Sequence, residues 1–349
     1  VYIRLPVKSR LHIFIQAHGV KLTVDCVLTH QLSALPHDSA LARLLAKAQV
    51  TQMDMPLEAL ICSQHGLQTA PDYPIAAITA AADGLDLGDA YWLRADPVHL
   101  VLQRDCFSLG EPLPLLVERE QAERMIASLN EHFNQDGLMF LLGESGAWYL
   151  QVIQTPQIKT TLPSVAASKN IHPFLPQGLE AARWVAVLNE VQMLLHEHPA
   201  NVARESSGEA AVNSIWLSGG GVMPPLAAKS LAKSLSEVDL MIADSIFYQG
   251  LAKWVDMPCH MLPGNLDSWL LDCGQYEHVR LQLPESQNLQ AKQLDDTWFY
   301  PLLTALKNKK IKQLILNLGF YEKSLIVDIK PLDTYKFWRT SKPVMDFLP

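Results

Sequence analysis

Several clusters in this 349-residue chain have the residue types and spacing to do chemistry. His196-Glu197-His198 offers two imidazoles and a carboxylate, the donor types that hold zinc or manganese. Residues two apart on a helix do not share a face, and this is not the HExxH spacing that turns two imidazoles toward one ion. The pair therefore reads as helix-end histidines satisfied by nearby carbonyls. Gly219-Gly220-Gly221 follows the apolar run SIWL and precedes a helical pattern. Glycines in such a turn let backbone N–H groups approach an anion at a helix start, and they also serve simply to tighten the turn. Just upstream stand Asn201, Arg204 and Asn213, where a planar guanidinium can clamp phosphate or carboxylate and an amide can orient it. Asn201, Arg204, Asn213, Gly219, Gly220 and Gly221 are thus the candidate site for a small anion. Strand alternation would put Arg94 and Asp96, close to His99, on one face, where an exposed ion pair is expected. Twelve histidines and many serines supply accidental triads, so no catalytic residue is assigned.

The elements that must position these residues follow from periodicity. Leu11–Ile15 reads as a buried strand, and Ser39–Val50 as a helix with Leu41, Leu44 and Leu45 on one face. From Tyr73 to Ile153 the pattern is that of a separate α+β unit. It has extended pieces at Ala90–Leu102 and Trp148–Ile153, and a helix over Glu118–Phe133 whose Ala122, Met125, Ile126, Leu129 and Phe133 share a face. Asp136-Gly137 is a turn signal, and the proline-spotted Thr155–Gly178 reads as a connector. A helix over Leu179–His198 is expected to stop before Pro199. Beyond it, SIWL, VDLMIAD and Val279–Leu283 alternate as strands with helices near 226–235, 246–254 and 294–306, and a strand pair, Ile311–Leu318 and Ser324–Ile329, follows. Strands separated by helices imply an α/β fold with a mostly parallel sheet flanked by helices.

Composition sets the class. With 49% hydrophobic and 18% charged residues the chain can bury a large core. A formal charge of −8 leaves no basic stripe for a phosphate backbone, so nucleic acid is not an expected partner. Five scattered cysteines without CxxC spacing point to reduced core thiols and a cytoplasmic setting. No apolar run reaches the length of a membrane span, and the opening VYIRLPVKSRLHIFI lacks a small-residue cleavage site, so neither membrane nor secretion is expected. The aromatic and basic YKFWRTSKP near the carboxyl end reads as a tail packed over the main domain, with a partner-binding anchor as the other reading.

Residues 196–225 then carry a dense motif: His198, Pro199, Asn201, Arg204, Gly208, Asn213, Ile215, Trp216, Leu217, Gly219 and Gly221. In type and spacing it resembles the signature of archaeal-type cofactor-independent phosphoglycerate mutases of the alkaline phosphatase superfamily, with Ser218 where a second tryptophan is usual. ADPVHL, the 188–201 text and KFWR are similar, more closely, to the bacterial RpfE-type regulatory proteins. The resemblance implies an alkaline-phosphatase-like α/β domain, 1–72 and 178–349, interrupted by a smaller inserted α+β domain with its connector, 73–177. It also implies ligands for two metals: an aspartate ending the first strand, then carboxyl-terminal aspartates and histidines. Leu11–Ile15 runs into Gln16-Ala17-His18-Gly19 with no aspartate in place. Leu283-Pro284-Glu285-Ser286-Gln287 and Leu318-Gly319-Phe320 stand where the family carries acidic and histidine ligands. No metal, no cofactor and no two-metal phosphoryl transfer are therefore expected. The expectation is a degenerate, regulatory scaffold that binds a small anionic metabolite or a protein partner. The alternatives are an active mutase with ligands recruited from His18, Asp25, Asp244 or Asp267, and a purely structural interaction protein.

Overall fold

The computed structural model describes residues 19–28, 30–67, 71–266, 269, 275–284 and 290–348. The expected strand Leu11–Ile15 lies outside them. The larger sheet comprises Val20–Val27 (β1), Gln49–Met53 (β2), Leu240–Ile242 (β11), Cys259–His260 (β12), His278–Gln282 (β13), Ile311–Phe320 (β14) and Lys323–Ile329 (β15). Their spatial order is β12-β11-β13-β1-β14-β15-β2. Pairing is parallel from β12 to β14, and β15 runs antiparallel to both its neighbours. The fold is α/β, as expected, with helices over both faces of this mostly parallel sheet.

β1 lies at the centre and is buried almost throughout, as a parallel strand covered on both faces must be. Leu22 and Val24 face the Ala40–Lys47 helix and the helical run 291–307. Thr23 and Asp25 alternate with them and face the other layer, which includes the helices Leu57–Gln64 and Ile246–Val255.

A second sheet is antiparallel: Tyr91–Val98 (β3), Leu138–Leu142 (β6), Trp148–Val152 (β7) and Ser214–Gly221 (β10), ordered β10-β3-β7-β6. Arg119–Phe133 and Ala181–Leu195 pack on one of its faces, with Met125, Leu129 and Phe133 of the first and Trp184, Val191 and Leu195 of the second in one core. Two ribbons accompany it, Leu100–Leu102 (β4) with Phe107–Leu109 (β5) and Ile158–Lys159 (β8) with Gln177–Gly178 (β9).

Several boundaries differ from the sequence reading. The first helix ends at Lys47, because Gln49 begins an edge strand pairing with β15. The helix after the connector ends at Leu195, and Pro199 opens a second helix, Pro199–Ser206, at a first-turn position where its missing N–H costs nothing. Residues 178–221, expected with the large sheet, sit with the smaller one, since β10 pairs with β3 and Ala181–Leu195 packs on it. The glycines do not form a turn: all three lie inside β10. The carboxyl-terminal tail docks through polar contacts and buried Val344 rather than its aromatics. Lys47 Nζ donates to the Arg339 carbonyl at 2.6 Å, while Phe337 and Trp338 stay 86% and 66% exposed.

The Ile75–Ala82 helix, IAAITAAA, is small and apolar all round and lies between the layers. Its neighbours include β3, β10 and the Ile246–Val255 helix. Close approach needs glycine: a Cβ on Gly250 would stand 2.4 Å from the Ile78 carbonyl oxygen, and one on Gly221 2.7 Å from Pro74. No described helix is long and apolar enough to cross a membrane. Gly250→Ala is expected to destabilise the fold by about 1–3 kcal/mol through overpacking. Gly264→Ala, where a Cβ meets open space, should stay within about 0.5 kcal/mol of the parent in urea denaturation.

Candidate functional site around Asp25

Ligands of open parallel sheets gather at the carboxyl ends of the strands, so the polar groups there define the candidate site. Register places Asp25 of β1 beside Gln282 of β13 and Asn317 of β14. Asp25 and Asn317 are fully buried. From two rows below on β13, Arg280 reaches up and clamps the carboxylate, Nε donating to Oδ2 at 2.6 Å and Nη2 to Oδ1 at 3.0 Å. Asn317 Nδ2 donates to the same Oδ1 at 2.7 Å. Gln64 Oε1, from the Leu57–Gln64 helix, accepts from Arg280 Nη2 at 2.8 Å. The Tyr248 hydroxyl borders Asp25 from the Ile246–Val255 helix.

Burial dominates the electrostatics. It works against the Arg280 charge, but Asp25 outweighs it and holds the guanidinium above its ordinary pKa. Tyr248 is held well above the phenol range, first by burial and then by Asp25. Burial likewise raises the Cys62 thiol. His65 is lowered to about 4 by burial and by Arg280; its Nδ1 bonds the Ile61 carbonyl and its buried Nε2 has no hydrogen-bond partner among the described residues. His278 is also lowered to about 4, by burial, Lys21 and Arg280, and its Nε2 pairs with Thr23 Oγ1 at 2.8 Å. At neutral pH both histidines beside the Asp25–Arg280 pair are therefore uncharged.

This donor set does not fit a two-metal centre. Both Asp25 oxygens already accept charge-assisted or amide hydrogen bonds, and a divalent ion would have to displace a buried guanidinium. Among the described residues no three His, Cys, Asp or Glu side chains converge. Asp244 Oδ1 accepts from the Leu262 N–H at 3.0 Å, while His18, Asp267 and 285–287 lie outside the described residues. Leu318 and Gly319 sit inside β14, where Leu318 is fully buried and a Cβ on Gly319 would meet Leu57 Cβ at 2.6 Å.

The sequence reading found no aspartate on the first strand. The first described strand is β1, and it carries Asp25. A signal was present: an acid inside the otherwise apolar VKLTVDCV demands a buried partner, and Arg280 in HVRLQ is its counterpart. Beside this site a cleft of about 370 Å3 opens between Asp244, Ser245, Leu262, Gln282, Leu283 and Pro284.

The residues singled out for anion binding lie elsewhere, on or next to β10. Asn201 Nδ2 donates to the Leu195 and Val212 carbonyls, and its Oδ1 accepts from Val212 N–H. Arg204, 3% exposed, donates through Nε to the Ala210 carbonyl and through Nη1 to Gln121, and pairs with Glu209 at 3.0 Å. Asn213 exchanges two hydrogen bonds with the Leu100 backbone. Gly219, Gly220 and Gly221 press against Ile75, Tyr91 and Pro74. The structure thus brings Asn201 and Arg204 together as a brace for the 207–213 loop and keeps the glycines apart from them. His198 caps its helix by accepting from the Ala200 N–H at 3.2 Å, and its Nε2 pairs with the Ser128 hydroxyl at 3.1 Å, so its partners are an amide and a hydroxyl and not carbonyls. The Arg94–Asp96 pair, expected exposed, is largely withdrawn from solvent, with Asp96 buried, Arg94 partly so, and Arg94 also 5.2 Å from the Tyr149 ring centroid.

No family model matches the chain. A probable 2,3-bisphosphoglycerate-independent phosphoglycerate mutase from Geobacter sulfurreducens is 27% identical over 154 residues, 43% of this chain and 38% of that relative. The similarity is to cofactor-independent phosphoglycerate mutases. The match spans well under half of the curated relative's length. Similar solved structures include a cofactor-independent phosphoglycerate mutase from Thermoplasma acidophilum, 14% identical over 94% of each chain with a TM-score of 0.44. Another is the PH0037 protein from Pyrococcus horikoshii, 13% identical over 89% of this chain and 88% of that one, with a TM-score of 0.47.

Two outcomes are expected. Asp25→Ala leaves a buried guanidinium uncompensated and should cost about 3–5 kcal/mol in urea denaturation, while the double variant Asp25→Ala/Arg280→Met should cost less than the two single changes added together. His65 stays neutral in the fold down to about pH 4, whereas an unfolded imidazole protonates near 6.5. Below that pH the unfolded chain binds the extra proton, so stability falls as pH drops from about 6.5 to about 4. His65→Gln should flatten that part of the curve, read from denaturation midpoints across the range.

Proposed function

We propose that this chain is a catalytically degenerate relative of the phosphoglycerate mutases, serving as a regulatory binding scaffold rather than as a phosphotransferase. One observation carries the reading: the acid on the central strand is clamped by Arg280 and Asn317, with both carboxylate oxygens already engaged. Two-metal chemistry needs cations that exchange ligands and polarise both attacking and leaving oxygens. A guanidinium inside a sheet offers fixed N–H donors and no exchangeable position. Leu318 and Gly319, in positions where the resemblance implies ligands, add an apolar side chain and none at all.

The regulatory role rests on the likeness of ADPVHL, the 188–201 text and KFWR to the RpfE-type proteins. A small anionic metabolite would meet the strand-end cleft at the start of the Ile246–Val255 helix, whose positive dipole end would have to outweigh Asp244, because the cleft's lining includes no lysine or arginine. A protein partner is the other occupant this reading allows. The scaffold requires neither cofactor nor nucleic acid, and a cytoplasmic setting suits its reduced thiols.

The test combines elemental analysis of the purified chain with conversion of 3-phosphoglycerate to 2-phosphoglycerate in added manganese. Neither stoichiometric metal nor turnover above the enzyme-free rate is expected. Stoichiometric manganese or zinc together with turnover would overturn the reading.

A further inference from the structure

The smaller unit contains a cavity of about 340 Å3, remote in sequence from Asp25 and from the cleft beside it. Three segments enclose it: the β4–β5 ribbon, residues 170–175, and one face of the Ala181–Leu195 helix over the start of β10. Its volume lies at the low end of the range of small-molecule sites, about 300–1,000 Å3. The wall is apolar, with Phe107, Ile171, Leu188, Ile215 and Trp216 among its residues. The Trp216 indole N–H already donates to the Thr161 carbonyl at 2.7 Å, so no donor of that side chain remains for a ligand.

The rim is polar and one-sided in charge. Asn189 and Gln192 stand three apart on the helix and therefore share the face that Val185 and Leu188 present to the cavity. Neither amide has a hydrogen-bond partner among the described residues. Asp105 and His172 complete the edge, and the lining includes no lysine or arginine. A phosphate or carboxylate seated here would lose its water beside a carboxylate and gain no counter-charge. An uncharged or cationic molecule loses nothing of that kind, and the two amides provide donors and acceptors for its polar edge.

We propose that this cavity is a binding site for a small uncharged or cationic molecule with an apolar body and one hydrogen-bonding edge. The proposal does not depend on whether the Asp25 region is catalytic. It assigns a ligand class opposite in charge to the metabolite suggested for the larger unit.

Two probes of one shape separate the possibilities on the full chain. N-phenyl-1-naphthylamine is neutral, and 8-anilinonaphthalene-1-sulfonate carries the same rings with an anionic group. Fluorescence titration should show saturable binding of the neutral probe at one site, at least tenfold tighter than the sulfonate. Asn189→Trp, a change at an exposed rim position, should weaken it at least fivefold with an unchanged melting temperature. Asp105→Lys, also exposed, should narrow the preference for the neutral probe. Cys106 lines the cavity and is free, so the bound neutral probe should slow its alkylation by N-ethylmaleimide at least threefold and leave Cys259 unaffected, as read by peptide mass spectrometry. Equal affinity for the two probes, indifference to both substitutions, or an unchanged Cys106 rate would each overturn the proposal.

Discussion

A carboxylate at the centre of a parallel sheet has to be neutralised where it stands, because moving it out of water costs several kcal/mol and no solvent reaches it there. Asp25 imposes that constraint on four other elements at once. β13 must be in register to send Arg280 upward, β14 must present Asn317, and the Leu57–Gln64 helix must bring Gln64 over the guanidinium. The Ile246–Val255 helix closes the shell with Tyr248. Hydrophobic burial alone would tolerate small slips between these layers, whereas two short charge-assisted bonds and an amide do not. The polar cluster therefore specifies how the helices sit on this face of the sheet, while the opposite face, built from leucines and aromatics, is held by packing.

The second unit is joined to the first by small residues rather than by charge. Ile75–Ala82 has alanine at most of its positions, and glycines in β10 and in the Ile246–Val255 helix let backbones approach it from two sides. Such a joint is close-packed and tolerates little added volume. Polar clasps at its edges reinforce it. Asp72 accepts from Thr160 N–H at 2.8 Å, and Lys169 pairs with Glu322 across the surface at 2.7 Å. Lys169 also lies 4.8 Å from the Tyr321 ring centroid, so its stem and charge both contribute.

Periodicity made the α/β class, the Arg119–Phe133 helix and the β14–β15 pair legible, because their apolar positions repeat at 3.6 or 2 residues. It failed where context overrides local pattern. SIWL followed by three glycines reads as strand and turn, yet the glycines continue the strand because a packed helix, not a bend, requires their missing side chains. The same error moved the candidate site. Asn201, Arg204 and Asn213 have the right types for an anion, but their partners include backbone carbonyls 6 to 113 residues away, which no local rule counts. Asp25 and Arg280 were equally visible as lone charges in apolar strands. Their pairing depends on β1 and β13 being neighbours across 255 residues, a fact of topology rather than of spacing.

On the proposed reading a cation stands where a metal would, and that has a physical logic. A sheet built around a buried acid can keep its geometry if another positive charge takes over the neutralising role. Arginine suits it, since its planar fork matches a carboxylate and it does not deprotonate. Such an exchange would preserve structure and change chemistry. A bound divalent ion offers vacant positions for substrate oxygens and lowers the pKa of a bound water, whereas a guanidinium bonded to Asp25 and Gln64 does neither. The packing around the buried acid is independent of the strand-end cleft and of the cavity in the smaller unit, so on that reading either can take up binding without disturbing the sheet.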